Sequence, residues 1–218
     1  MTPKDIIDGY RPFIVGLGGT QRPNSTSEKA ARLTLKHAEK AGAKVEMLAG
    51  PDLIFPMYDP AVTERTENAV HMIETLRKAD GIVLSSPSYH GSISGLLKNA
   101  LDYTEDMRSD KKVYFGGRVV GCIGCGAGWQ GAASTVETLR SIAHALRGVP
   151  TSIGGLINTA EPVFDGDGNC IDPRTDEVLR IMAIQMVKLA RMRYVARAAD
   201  PDWEHWVKTD ERIPVLYR

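Results

Sequence analysis

Two polar stretches hold the residue types from which a binding site could be built. The first, GLGGTQRPNSTSEKA over 16–30, gathers Thr20, Arg22, Asn24, Ser25, Thr26 and Ser27 ahead of a helix start. Hydroxyls and backbone N–H groups in that setting can surround an anion, and the helix N-terminus favours negative charge. Arg22 can add a charge-assisted bond. Gly16-x-Gly18 opens like a dinucleotide fingerprint, but Gln21 stands where a third glycine is needed, although Glu46 roughly fits the acidic position. The Gly-Lys-Ser/Thr ending of a P-loop is missing. A terminal monophosphate, which presents more oxygens than a bridging pyrophosphate, suits this stretch. The plain alternative is a polar turn with an N-cap.

The second stretch is PSYHGS, 87–92. Pro87 fixes its own φ and has no donor, and Gly91 permits close approach or unusual dihedrals. The backbone N–H groups of Ser88, Tyr89, His90 and Gly91 are then expected to be open to a ligand. A flat heteroaromatic with O and N along one edge would satisfy them, and Tyr89 offers it an aromatic surface. His90 is read as a backbone contact with an exposed side chain ahead of a proton donor, because acid–base roles need geometry first. Further on, GAGWQG over 126–131 follows another apolar run. Gly126, Ala127, Gly128 and Trp129 either form a third ligand-facing loop or are a glycine-rich turn between strand and helix. Gly131 is read as serving either that loop or helix packing.

Other motifs lose to simpler explanations. In Cys122-Ile-Gly-Cys125 the cysteines stand at the end of a strand, where residues three apart face opposite sides. Redox pairs sit instead at a helix N-terminus, and a zinc site would have only Cys170 left to recruit. Both are read as inert small residues. Asp165-Gly-Asp-Gly-Asn169 looks like part of a calcium loop, but Asp176 stands where the loop needs glutamate. It is read as a turn-rich excursion with Gly166 and Gly168 at positive φ. No metal site and no catalytic side chain are assigned.

These stretches need elements to hold them. Apolar runs at 12–18, 43–48, 80–85, within 116–126 and at 149–156 read as strands. Helical spacing marks 25–41, 66–78, 93–105, 129–146 and 173–198. Strand and helix alternate five times, which calls for right-handed βαβ units and a parallel sheet covered on both faces. The expected fold is α/β and flavodoxin-like, a three-layer sandwich whose five-stranded parallel sheet has the order 2-1-3-4-5, with a Rossmann order as competitor. In such sheets ligands bind beyond the carboxyl ends of the strands, where β1 and β3 meet. Both polar stretches fall there. One domain over 1–198 is expected, with 199–218 as a tail whose Trp203 and Trp206 pack on this subunit or a neighbour.

Lys+Arg and Asp+Glu both number 27, so the chain lacks the charge excess of a nucleic-acid or anionic-membrane binder. No run of about 18 apolar residues suggests a membrane span, and MTPKDIIDGY lacks an apolar signal core. With 3 cysteines, the expectation is a reduced, cytoplasmic protein.

Gly19, Arg22 and Ser25 after the first strand, with Pro-x-Tyr-x-Gly-Ser-x-x-Gly-x-Leu-Lys-Asn-x-x-Asp over 87–102, resemble the NAD(P)H-dependent FMN reductase family. The resemblance covers roughly 12–155. It implies a flavodoxin-like enzyme that passes hydride from NADPH or NADH through FMN to a small-molecule acceptor (a flavin, quinone or similar oxidant) in a ping-pong cycle. It also implies that Thr20, Arg22, Ser25, Thr26 and Ser27 hold the FMN phosphate and that Pro87, Ser88, Tyr89, His90, Gly91 and Ser92 line the isoalloxazine ring. Gly126, Ala127 and Gly128 would cover the ring or ribityl chain. Thr20 stands where the family more often has Ser, and Ser27 where many members have Asn. Lys98 and Asn99 match the motif in a structural role. A homodimer or homotetramer is implied, with no nucleic-acid or membrane partner. The alternative is a non-enzymatic FMN electron carrier of flavodoxin type, which the zero net charge disfavours.

Overall fold

A computed structural model describes residues 6–200. Its strands are β1 (Phe13–Gly18), β2 (Lys44–Ala49), β3 (Gly81–Pro87), β4 (Val119–Gly126), β5 (Val149–Pro150) and β6 (Gly155–Asn158). All pair in parallel, in the order β2-β1-β3-β4-β5, and β6 also pairs with β4. The five sheet positions and their order are those expected from the alternation of elements.

The helices are α1 (Thr26–Lys40), α2 (Glu67–Lys78), α3 (Gly95–Asp102), α4 (Trp129–Ala145) and α5 (Pro173–Ala199). On β3, Ile82 and Leu84 join the core under α2, α3 and α4, whereas Val83 joins the core under α1 and α5. Both faces of the strand are therefore covered, which is why it reads as a continuous apolar run. The buried residues of α5, Leu179, Met182, Ala183, Met186, Val187 and Ala190, recur at helical spacing along one stripe. Ser25, Thr66, Ser94 and Asp172 cap α1, α2, α3 and α5, each accepting a first-turn backbone N–H. The buried Arg118 donates to Leu76 O and Arg77 O, satisfying carbonyls at the end of α2 where a cation is favoured.

Two expected elements are corrected. The strand expected over 149–156 is two short pieces. Thr151 Oγ1 donates to Ile153 O, and Arg140 takes the carbonyls of Thr151 and Ser152, so the chain leaves the ladder before β6 rejoins it. The helix expected over 93–105 starts at Gly95, where Ser94 caps it, and tightens into a 3₁₀ turn over Tyr103–Met107.

The 165–169 excursion is a turn closed by a Phe164–Cys170 bridge, with Asp165 accepting the backbone and side-chain N–H groups of Asn169. Of its two glycines only Gly168 has positive φ. No grouping of ligands for a metal ion occurs among the described residues, and no described helix is long and apolar enough to cross a membrane. Trp203 and Trp206, on which the packing of the tail depends, lie outside the described residues.

Candidate functional site

β1 lies between β2 and β3, and β3 beside β4, so the segments following β1, β3 and β4 are neighbours at the carboxyl edge of the sheet. Each polar stretch found in the sequence occupies one of them.

After β1 the chain turns at Gly19, whose φ is +93° and whose missing Cβ would sit 3.1 Å from Ser25 Oγ. Thr20 Oγ1 accepts the Arg22 N–H at 3.1 Å, and Asn24, at φ 57°, donates its N–H to Glu28 Oε2 at 3.0 Å. Glu28 is buried and paired with Arg32 at 2.8 Å, so its negative charge is offset within α1. The N–H groups of Thr20, Gln21, Ser25, Thr26 and Ser27 find no partner among the described residues. Arg22 is exposed, Thr20 and Thr26 half-buried.

Ser25 and Ser27 are placed otherwise than as open hydroxyls. They are 3% and 1% exposed, and their Oγ atoms lie 3.2 Å apart. Ser25 Oγ also accepts the Glu28 N–H as the helix cap. What these residues leave unspent is backbone, because N-cap and first-turn N–H groups lack helical partners.

After β3, Tyr89 and Ser92 exchange backbone bonds of 2.9 and 3.1 Å around His90 (φ 51°) and Gly91 (φ 81°). Positive φ at both central residues makes this a type I′ turn. Ser88 N–H donates to Cys125 O at 2.6 Å. Of the four N–H groups expected to be open, those of Ser88 and Tyr89 are therefore consumed internally. Those of His90 and Gly91 remain without a partner among the described residues. Tyr89 is 52% exposed.

At and after the end of β4, Gly126 and Gly131 leave room for the preceding loop. A Cβ on Gly126 would meet Ser88 Cβ at 3.3 Å, and one on Gly131 would meet Ser88 Oγ at 2.9 Å. Ser134 Oγ, on α4, donates to Gly91 O at 2.6 Å and holds the turn from below. Ala127 and Trp129 stay exposed, Trp129 at 62%. A cleft of about 290 Å³ lies beside the first turn of α1, lined by Thr26, Lys29 and residues 159–164.

Several positioning side chains were not singled out from the sequence. Ser85 Oγ donates to Ser27 O at 2.7 Å, and Ser86 Oγ accepts the Ser94 N–H at 2.8 Å. The consecutive serines ending an otherwise apolar strand were the available signal. Asn99 receives Tyr58 N–H and donates to Pro56 O, so its structural assignment agrees with its burial. Lys98 pairs with Asp102 at 2.6 Å on the same helix. Cys122 and Cys125 belong to opposite cores, and burial pushes both thiols up to about 12. Neither is a thiolate at neutral pH, in keeping with their reading as inert.

Residues 12–160 match the family described as NADPH-dependent FMN reductase. The chain is 32% identical over 142 residues to an FMN-dependent NADPH-azoreductase of Staphylococcus aureus, an alignment covering 62% of this chain and 72% of that protein. Among solved structures it superposes on FerB, a flavoenzyme NAD(P)H:(acceptor) oxidoreductase from Paracoccus denitrificans. The TM-score is 0.70 at 21% identity, over 84% of this chain and 99% of the other. RosB with bound 8-demethyl-8-formylriboflavin-5'-phosphate gives a TM-score of 0.67 at 19% identity, with 88% of each chain covered. At these identities the two structures support the flavodoxin-like fold.

Proposed function

The chain belongs to the NADPH-dependent FMN reductase family, and from that premise we propose how its three loops divide the work. It is an NAD(P)H-dependent oxidoreductase with FMN as cofactor and NADPH as co-substrate. The observation that carries the proposal is the set of backbone N–H groups at Thr20, Gln21, Ser25, Thr26 and Ser27 without a partner among the described residues, on the loop next to a turn that leaves the backbone N–H groups of His90 and Gly91 open.

The first set fits a phosphate. Three donors at a helix N-terminus and two in the turn before it, with the Arg22 guanidinium exposed beside them, match a dianion rich in acceptor oxygens. Gly19 keeps the concavity open, since any side chain there would intrude on Ser25. Thr20 and Thr26 add hydroxyls, while Ser25 and Ser27 contribute backbone. The second set fits the polar edge of a flavin ring. The stiff turn presents the two N–H groups of His90 and Gly91, Pro87, Ser88 and Ser92 shape its base, and Tyr89 offers an apolar flank. Gly126, Ala127 and Gly128 border the same space.

FMN, when bound, supplies hydride-accepting and hydride-donating chemistry, so the reaction divides into two half-reactions in which NADPH and then the acceptor use the same place. The residues' task is to bind, orient and exclude water. No side chain is assigned as general acid or base. A quinone, flavin or azo compound is the acceptor class, the last because it is the substrate named for the Staphylococcus aureus relative. Residues 1–198 act as one FMN-binding domain, and a cytoplasmic homodimer or homotetramer completes the reading.

Mixing the protein with FMN should give a perturbed flavin spectrum that NADPH bleaches and menadione restores. Parallel lines in initial-rate plots against both substrates support the ping-pong order. A spectrum unchanged by the protein would overturn the cofactor assignment to these loops.

A further inference from the structure

Gly19 is gripped at both ends. Its N–H donates to Ser85 O at 2.9 Å, and its carbonyl accepts Ser94 Oγ–H at 3.1 Å. Ser94 is 2% exposed and sits at the far end of the other loop. Its hydroxyl also accepts the Leu97 N–H at 3.2 Å, and its own N–H rests on Ser86 Oγ. One hydroxyl thus caps α3 and ties the ring-side loop to the phosphate-side loop, using its one proton and one lone pair.

A trans peptide points its C=O and N–H in opposite directions, and no cis peptide occurs among the described residues. Since Ser94 holds the Gly19 carbonyl inward, the N–H of the same peptide, that of Thr20, is aimed away from Ser94. It is one of the N–H groups without a partner among the described residues. Glycine at φ +93° has little intrinsic preference for that peptide orientation, so the hydroxyl supplies it.

We propose that Ser94 is a positioning residue for the cofactor phosphate: by holding the Gly19 carbonyl it fixes the Thr20 N–H as a phosphate donor. It acts through the backbone and touches neither cofactor nor substrate. This rests on reading 19–27 as the phosphate cradle.

The test separates the tie from the cap. Glycine is nearly as good an N-cap as serine but has no hydroxyl, so Ser94→Gly removes the tie at small cost to α3. Ser94→Ala removes both functions. Dissociation constants for FMN and for riboflavin, which lacks the phosphate, are measured for both variants alongside Thr66→Gly, a cap on α2 away from the loops. Ser94→Gly should weaken FMN about fivefold to tenfold, one hydrogen bond's worth, and leave riboflavin within about twofold. Thr66→Gly should leave the FMN-to-riboflavin ratio unchanged. Equal weakening of both flavins, or an unchanged ratio accompanied by the melting shift of Thr66→Gly, overturns the role of Ser94. If the parent itself shows no preference for FMN over riboflavin, the phosphate reading fails first, and the role of Ser94 with it.

Discussion

The loop after β1 and the loop after β3 are built on opposite plans. The first leaves its donors open: five N–H groups from Thr20 to Ser27 have no partner among the described residues, and its two buried hydroxyls are turned inward. The second spends backbone donors internally, through the Tyr89–Ser92 exchange and the bond from Ser88 to Cys125 on β4, and leaves the N–H groups of His90 and Gly91 without a partner among the described residues. The difference teaches what each plan can recognise. A dianion brings many acceptor oxygens and repays a concavity of unspent donors at a helix start. A flat, neutral ring edge offers few acceptors but needs them met at fixed positions, which a self-bonded turn can provide at low entropy cost.

The largest effect should come from the charge in the first loop. Arg22 is exposed, and only its backbone groups bond within the loop. Arg22→Ala should cost about 1.5–3 kcal/mol of FMN affinity while leaving riboflavin nearly unaffected. Fluorescence titration of both flavins reads this directly. An unchanged FMN constant would erase the distinction between the loops.

Gly91→Ala sharpens the other side. At φ +81° an L side chain is disfavoured although the space is open, so about 1–2 kcal/mol of strain enters the turn. FMN and riboflavin should weaken together, because the ring edge is common to both. A selective loss of FMN would mean that the second loop reads phosphate.

The smallest effect is a gain. His90 holds φ 51°, a region that asparagine visits more easily. His90→Asn should raise stability by about 0.5 kcal/mol in thermal unfolding. A loss instead would show that the imidazole contributes packing that its exposure does not suggest.

These contrasts mark where sequence reading reached and where it stopped. The strand order was legible because five apolar runs alternate with five helical stripes, and burial periodicity is a local property of the chain. The positions of both loops followed from that order. The cysteines were legible for the same reason: three residues apart on a strand means opposite faces, and Cys122 and Cys125 do lie in separate cores. The split of the fifth strand was not, because it depends on Arg140 reaching carbonyls more than ten residues away.

Sequence by itself thus determined the layers, the edge of the sheet where the polar loops gather and the residue types placed there. Tertiary structure decided which of those groups are free. It turned the Ser25 and Ser27 hydroxyls inward and closed Ser88 and Tyr89 on internal acceptors. It also brought Ser94 to Gly19 across 75 positions of chain. The physical reason is that a hydrogen bond is settled by the nearest acceptor in space. Residue type fixes only how many bonds a group can make, and the fold chooses the partner.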